Sequence, residues 1–160
     1  MSERYRVPKY KTQVEIQFAP GRVERFLLFL AEYAEHRLGP ERADDVLNGG
    51  CEFLAVQTLD GAIGFVRRSS IALVTLGKEE DVGELLGGFD PVAADLDIEV
   101  PLRIVLDDGT TLEGITRYQL PEASSRVLDF LNSAEPFIPL RHGGRLSLVN
   151  KQRIANVVLR

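Results

Sequence analysis

The stretch "RVERFLLFLAEYAEHRLG", Arg22 to Gly39, satisfies two incompatible patterns, and the choice between them sets the fold class. Val23, Phe26, Leu27, Leu30 and Ala34 recur at helical spacing and would form one apolar face of an amphipathic helix. Phe26 to Ala31 is also an unbroken apolar run, which suits a strand buried on both faces. Periodicity alone does not separate the two. Comparing the chain with itself does.

"RADDVLNGGCEFLAV" (Arg42 to Val56) lines up with "RVLDFLNSAEPFIPL" (Arg126 to Leu140), both reading R-x-x-D-x-L-N, then Phe and an apolar pair. "GAIGFVRRSSIALVTL" (Gly61 to Leu76) lies on "GRLSLVNKQRIANVVL" (Gly144 to Leu159), pairing Phe65 with Leu148. Upstream, "VEIQFAPGRVERFLLFLAEY" therefore corresponds to "VPLRIVLDDGTTLEGITRYQL", which is plainly a β-hairpin: alternating apolar residues flank an Asp108-Gly109 signal for a type I′ or related turn. Pro20-Gly21 stands at the same place in the first copy. Two copies of one unit share a fold, so Arg22 to about Tyr33 is expected as a long, largely buried strand.

Each unit then comprises a hairpin, a loop, one short helical turn and a second hairpin. In the helical turns Arg42 and Asp45, like Arg126 and Asp129, stand at i and i+3 and can pair. Asn48 and Asn132 follow as expected left-handed caps, with Gly49 helping in the first copy. An isolated unit of about 60 residues is marginal, so the two are expected to bury apolar faces against each other in a pseudo-twofold body. The expected organisation is a basic arm over 1–11, a first β-barrel repeat over 12–77, an acidic linker over 78–97 and a second β-barrel repeat over 98–160. The fold class is mainly β, two tandem small barrels with only short helical turns.

The second copy resembles the Sm-like fold, a small, strongly bent barrel whose first hairpin reads V-x-L-x-D-G-x-x-x-x-G. Asp108, Gly109, Gly114, Lys151, Ile154 and Val157 sit in matching places. The family's usual Asp after its second strand is replaced by Arg117 and Tyr118, and Leu131-Asn132 is the nearest match to its Asn-containing RNA loop. The tandem pattern as a whole looks like that of uncharacterised small bacterial tandem-repeat proteins. The resemblance implies a barrel and, as one alternative, single-stranded nucleic-acid binding.

With 160 residues, 44% of them hydrophobic, the chain can bury a real core. "MSERYRVPKYK" has charge but no apolar signal region, and no segment has the roughly 18 uncharged apolar residues of a membrane span, so a cytoplasmic protein is expected. The single Cys51 excludes an internal disulfide. The net charge of −5 is concentrated between Lys78 and Glu99, where eight acidic residues oppose one lysine. Val82, Leu85, Leu86 and Phe89 give that segment either a short apolar helical turn or a loosely ordered linker.

No nucleophile elbow, zinc-protease or phosphate-loop motif is present. His36 and His142 fall in expected turns or loops and read as solvated, and Cys51 takes the place of Glu135 in the other copy, just before a strand. Asp44-Asp45 and Asp107-Asp108 suit turns better than a calcium loop. No enzyme activity, cofactor or metal is expected. The candidate binding residues are Arg67, Arg68, Lys151 and Arg153, which precede the last strand of each unit and could form one basic strip with Arg141 and Arg145. "RYRVPKYK" interleaves cations with Tyr5 and Tyr10, a composition suited to phosphate and base stacking. The leading expectation is a non-catalytic interaction or regulatory module with a protein partner; the alternatives are nucleic-acid binding and a small ligand held between the repeats.

Overall fold

The computed structural model describes residues 9–19, 21–32, 41–78, 98–118, 126–133 and 135–160. The acidic segment 79–97, His36 and the first eight residues, with the expectations placed on them, lie outside those residues. The chain is mainly β. Ten strands occur among the described residues: β1 (Lys9–Phe18), β2 (Val23–Ala31), β3 (Phe53–Thr58), β4 (Ile63–Arg67), β5 (Ile71–Lys78), β6 (Ile98–Leu106), β7 (Thr111–Tyr118), β8 (Phe137–His142), β9 (Arg145–Asn150) and β10 (Ile154–Leu159). Two single-turn helices, α1 (Ala43–Leu47) and α2 (Val127–Leu131), precede β3 and β8, and 3₁₀ turns at Arg68–Ser70 and Lys151–Arg153 precede β5 and β10. No helix among the described residues is long and apolar enough to cross a membrane.

The opening ambiguity resolves as a strand. β2 pairs with β1 from Gln17↔Val23 to Lys9↔Ala31. Phe26, Leu28 and Leu30 are buried at period two, whereas Val23, which a helical face would have covered, is exposed. β2 is buried on one face only; Leu27, Phe29 and Ala31 on the other are half-buried. Strand wins because β1 carries the same alternation, Val14, Ile16 and Phe18, on the same core. The expected arm is also partly strand, since Tyr10 and Lys11 belong to β1; the Tyr10 hydroxyl donates to Glu32 Oε1 at 3.4 Å.

All ten strands form one antiparallel sheet in the order β10-β6-β7-β8-β9-β5-β1-β2-β3-β4. The first half contributes β5-β1-β2-β3-β4, and the second β10-β6-β7-β8-β9, the same order at the same positions. Registers match as well. Phe18↔Ile71 and Gln17↔Leu73 flank a bulge between β1 and β5, as Leu106↔Ile154 and Val105↔Asn156 do between β6 and β10. The sheet does not close into two barrels: the edge of β5 that would close the first half on β4 is taken by β9. Nor is the junction the expected twofold one, which would pair equivalent strands. β9 occupies in its half the place of β4, so the halves meet head to tail.

Side chains cross that junction. Phe137, Leu146 and Leu148 of the second half pack into the first half's core beside Ile16, Val74 and Leu76, and Ala72 and Leu73 of the first half pack with Leu102, Ile104 and Ile138.

Local details narrow one expectation, at the hairpin turn, and depart from another, at the helix caps. Gly109 has φ +90° and its N–H donates to Leu106 O, with no residue other than glycine in positive φ among the described residues, so of the turns that the Asp108-Gly109 signal allows this hairpin uses a type I turn closed by a glycine bulge. Asn48 and Asn132 end their helices at φ −85° and −89°, on the right-handed side. Asn48 is instead used through its side chain, whose Oδ1 accepts from Phe137 N at 2.8 Å. Both expected i,i+3 pairs are present, Arg126–Asp129 at 3.2 Å and Arg42–Asp45 at 3.9 Å; Arg42 also directs its fork at Asp44, at 3.1 and 3.2 Å, and Asp45 accepts from the Arg42 backbone N–H at 2.9 Å.

Candidate functional site

Two places collect the polar and basic groups singled out by sequence: the β5–β9 junction and the pair of 3₁₀ turns at one end of it. In the junction, Leu73 lies opposite Val149, Val74 opposite Leu148 and Thr75 opposite Ser147. Thr75 Oγ1 and Ser147 Oγ are 3.0 Å apart and buried, and Ser147 Oγ lies 2.8 Å from His142 Nε2. His142 thus ends β8 in a hydrogen-bonded chain rather than standing in a solvated loop. Burial, and secondarily the Arg145 charge, lower its pKa below the usual 6.5.

That shift has a defined sign. A lowered folded-state pKa favours the neutral ring, so its contribution to stability is complete above about 6.5 and is lost as pH falls through the folded value. Urea midpoints of the parent chain are therefore expected to drop between pH 7.5 and 5 by more than those of His142→Gln. Parallel curves would show that the ring's titration is uncoupled from folding.

At the other end of β9, the turns Arg68–Ser70 and Lys151–Arg153 touch. Arg153 Nε and Nη2 donate to Ser69 O at 3.0 and 2.6 Å, and its Nη1 meets Asp107 at 3.3 Å. Lys151 Nζ donates to Leu131 O at 3.1 Å and Ser133 O at 2.6 Å, tying α2 to the sheet; burial, partly offset by Glu135, lowers its pKa. Asn150 Nδ2 donates to Ile71 O at 2.9 Å. Lys151 and Arg153, which sequence offered as part of a binding strip, therefore brace the fold.

Arg67, the last residue of β4, is exposed; it lies over the Phe53 ring at 4.9 Å and pairs with Glu52 at 3.5 Å. Arg68 differs: its Nε and Nη2 are buried without a hydrogen-bond partner. Arg68 lines a recess of about 190 Å³ with Cys51, Glu52, Ser69, Pro136, Asn150 and Gln152, residues from both halves. The expected basic strip does not form as a whole. Arg145 begins β9 and Lys151 follows its end, so roughly 20 Å of chain separates them, and Arg141 pairs with Glu99 at 3.4 Å.

The acidic pairs are also engaged. Asp44 and Asp45 face Arg42, Asp107 faces Arg153, and Asp108 Oδ1 accepts from Thr110 N at 2.9 Å. Among the described residues, no three His, Cys, Asp or Glu side chains converge as metal ligands. Sequence reasoning missed Asn48 as a bridge between halves and Arg68 as a buried guanidinium; for neither does the local pattern carry a signal.

The outermost strands of the sheet are β4 and β10. Their neighbourhoods present Phe53, Ile63 and Phe65 at one end, and Val158 and Leu159 at the other, all exposed. Comparison with protein-family models, curated proteins and solved structures yields no match for this chain.

Proposed function

We propose that the chain is a non-catalytic interaction module, working in a bacterial cytoplasm, built from two copies of one bent, Sm-like five-stranded unit. The matching strand order, the shared bulge and the parallel core positions Val14, Ile16, Phe18 and Leu102, Ile104, Leu106 support the duplication. One observation carries the interaction reading: among the described residues, both outer strands of the sheet lack a further neighbour and carry exposed apolar side chains. Edge strands are normally blunted by charge, proline or a bulge facing outward. Here the one charge on either outer strand is Arg67, at the end of β4, no proline interrupts Ile63–Arg67 or Ile154–Leu159, and large apolar side chains stand exposed on both. Such edges suit the addition of a partner strand.

The test places one charge on each edge. The Phe65→Glu, Val158→Glu chain should fold with an unchanged circular dichroism spectrum and lose the proteins that the parent chain captures by cross-linking in its native extract. Capture of the same set by both chains would sink the reading.

Two alternatives make separate predictions. The unpartnered Arg68 beside the recess favours a small anion between the halves; inorganic phosphate should then raise the melting temperature, and Arg68→Gln should abolish the rise. Nucleic-acid binding would show as steeply salt-sensitive affinity for single-stranded RNA, weakened by Arg67→Ser, a change at an exposed side chain.

A further inference from the structure

We propose that each outer edge binds a second copy of this chain, β4 of one copy adding to β10 of the next in the antiparallel register that joins β9 to β5 within the chain. The proposal rests on the interaction reading above and specifies its partner. β4 holds in the first half the place that β9 holds in the second, and β10 the place of β5. The chain therefore carries one completed junction and, at its two ends, the separate halves of another.

The side chains make the comparison quantitative. Phe137, Leu146 and Leu148, which the internal junction buries to 1%, 6% and 2% exposure, correspond to Phe53, Ile63 and Phe65, exposed by 48%, 59% and 70%. On the complementary edge, buried Thr75 and Leu76 correspond to exposed Val158 and Leu159. Apolar character is kept or increased at most of these positions: Phe65 replaces Leu148, Ile63 replaces Leu146, and the Thr75–Ser147 polar contact becomes Val158 with Gly64, while Asn156 is the one polar replacement, standing where Leu73 does. A surface with no neighbour gains nothing from keeping large apolar residues at just the positions that a neighbour buries elsewhere in the same sheet.

Transferring the internal register places Asn156 opposite Val66, Val157 opposite Phe65 and Val158 opposite Gly64 of the adjoining copy. Because the two edges differ, the contact is heterologous. Repeated, it gives a ring where the rotation closes and a filament where it does not.

Sedimentation velocity on the full chain, over a wide concentration range, tests this. The parent chain should run as an oligomer. Phe65→Glu and Val158→Glu, each at an exposed site and with an unchanged circular dichroism spectrum, should run as monomers alone and melt at a temperature that no longer depends on protein concentration. Mixed in equal amounts, they should form a 1:1 dimer and nothing larger, since only one intact β4 and one intact β10 remain to meet. In a Cys51→Ser background, Gly64→Cys with Val158→Cys should cross-link between chains on oxidation, and Gly64→Cys alone should not. A parent chain that is monomeric at every concentration, variants that fail to complement, or cross-linking through two β4 edges would overturn the proposal. A monomeric chain that still captures another protein through these edges would overturn the second-copy partner while leaving the interaction reading standing.

Discussion

Phe137→Ala is expected to lower the unfolding free energy by about 3–5 kcal/mol, the usual cost of truncating a fully buried aromatic side chain. Phe137 opens β8 in the second half, yet its ring belongs to the core of the first, and its backbone N–H donates to Asn48 Oδ1. Stability of a domain this size totals only about 5–15 kcal/mol, so one ring supplies a large share. Chemical denaturation followed by circular dichroism should show a much lower midpoint, and amide exchange should show both halves losing protection together. Phe53→Ala is the matched control. It removes the same residue type from the corresponding position at the start of β3, where the ring is 48% exposed, and, measured in the Val158→Glu background so that no second copy can cover it, should change stability by about 1 kcal/mol or less. Equal losses would contradict the burial difference on which the head-to-tail junction depends.

Gly114→Ala should cost about 3 kcal/mol, at the upper end for overpacking. A Cβ at Gly114 would stand 2.2 Å from Arg141 O, 3.0 Å from Arg141 C and 3.1 Å from His142 Cβ. Two of these atoms are backbone, so β8 itself must move. That movement strains the pairing of Ile115 with Arg141 and the bond from Thr116 Oγ1 to Pro139 O at 2.8 Å. Gly64→Ala serves as the comparison, because its Cβ would meet only Val56 Cγ2 at an ordinary 3.7 Å. Thermal unfolding of the two variants should differ widely; similar melting temperatures would show that β7 and β8 are further apart than described.

The strand at Val23–Ala31 was legible only through comparison of the halves, because a run as short as Phe26 to Ala31 fits periods of 2 and 3.6 almost equally. The helical turns were legible from R-x-x-D-x-L-N, since α1 and α2 fall within it. Their caps were not. Asparagine in such a place suggests a backbone role, whereas Asn48 spends its side chain on a residue 89 positions away, which no local pattern encodes. Burial of the last hairpins was hidden for the same reason. Phe65 and Leu148 occupy equivalent places in hairpins of the same apolar pattern, and what separates exposed from buried is a neighbour present on one side only. The basic residues illustrate the converse: Lys151 looked solvent-facing because sequence shows a lysine beside a strand and not the carbonyls of Leu131 and Ser133 that receive its ammonium group.

The pairing of β5 with β9 also orders events during synthesis. The nascent chain completes β5 at Lys78, but the strand that covers its outer edge ends at Asn150, 72 residues later. At about 5–20 residues per second that interval lasts roughly 4–14 s. Throughout it the emerged first half has Val74 and Leu76 without the side chains of Phe137, Leu146 and Leu148 that cover them in the finished fold. On a polysome, the β8–β9 hairpin of a chain further along is a ready substitute for the missing one, so exchange of that hairpin between neighbouring nascent chains is the characteristic misassembly this connectivity invites.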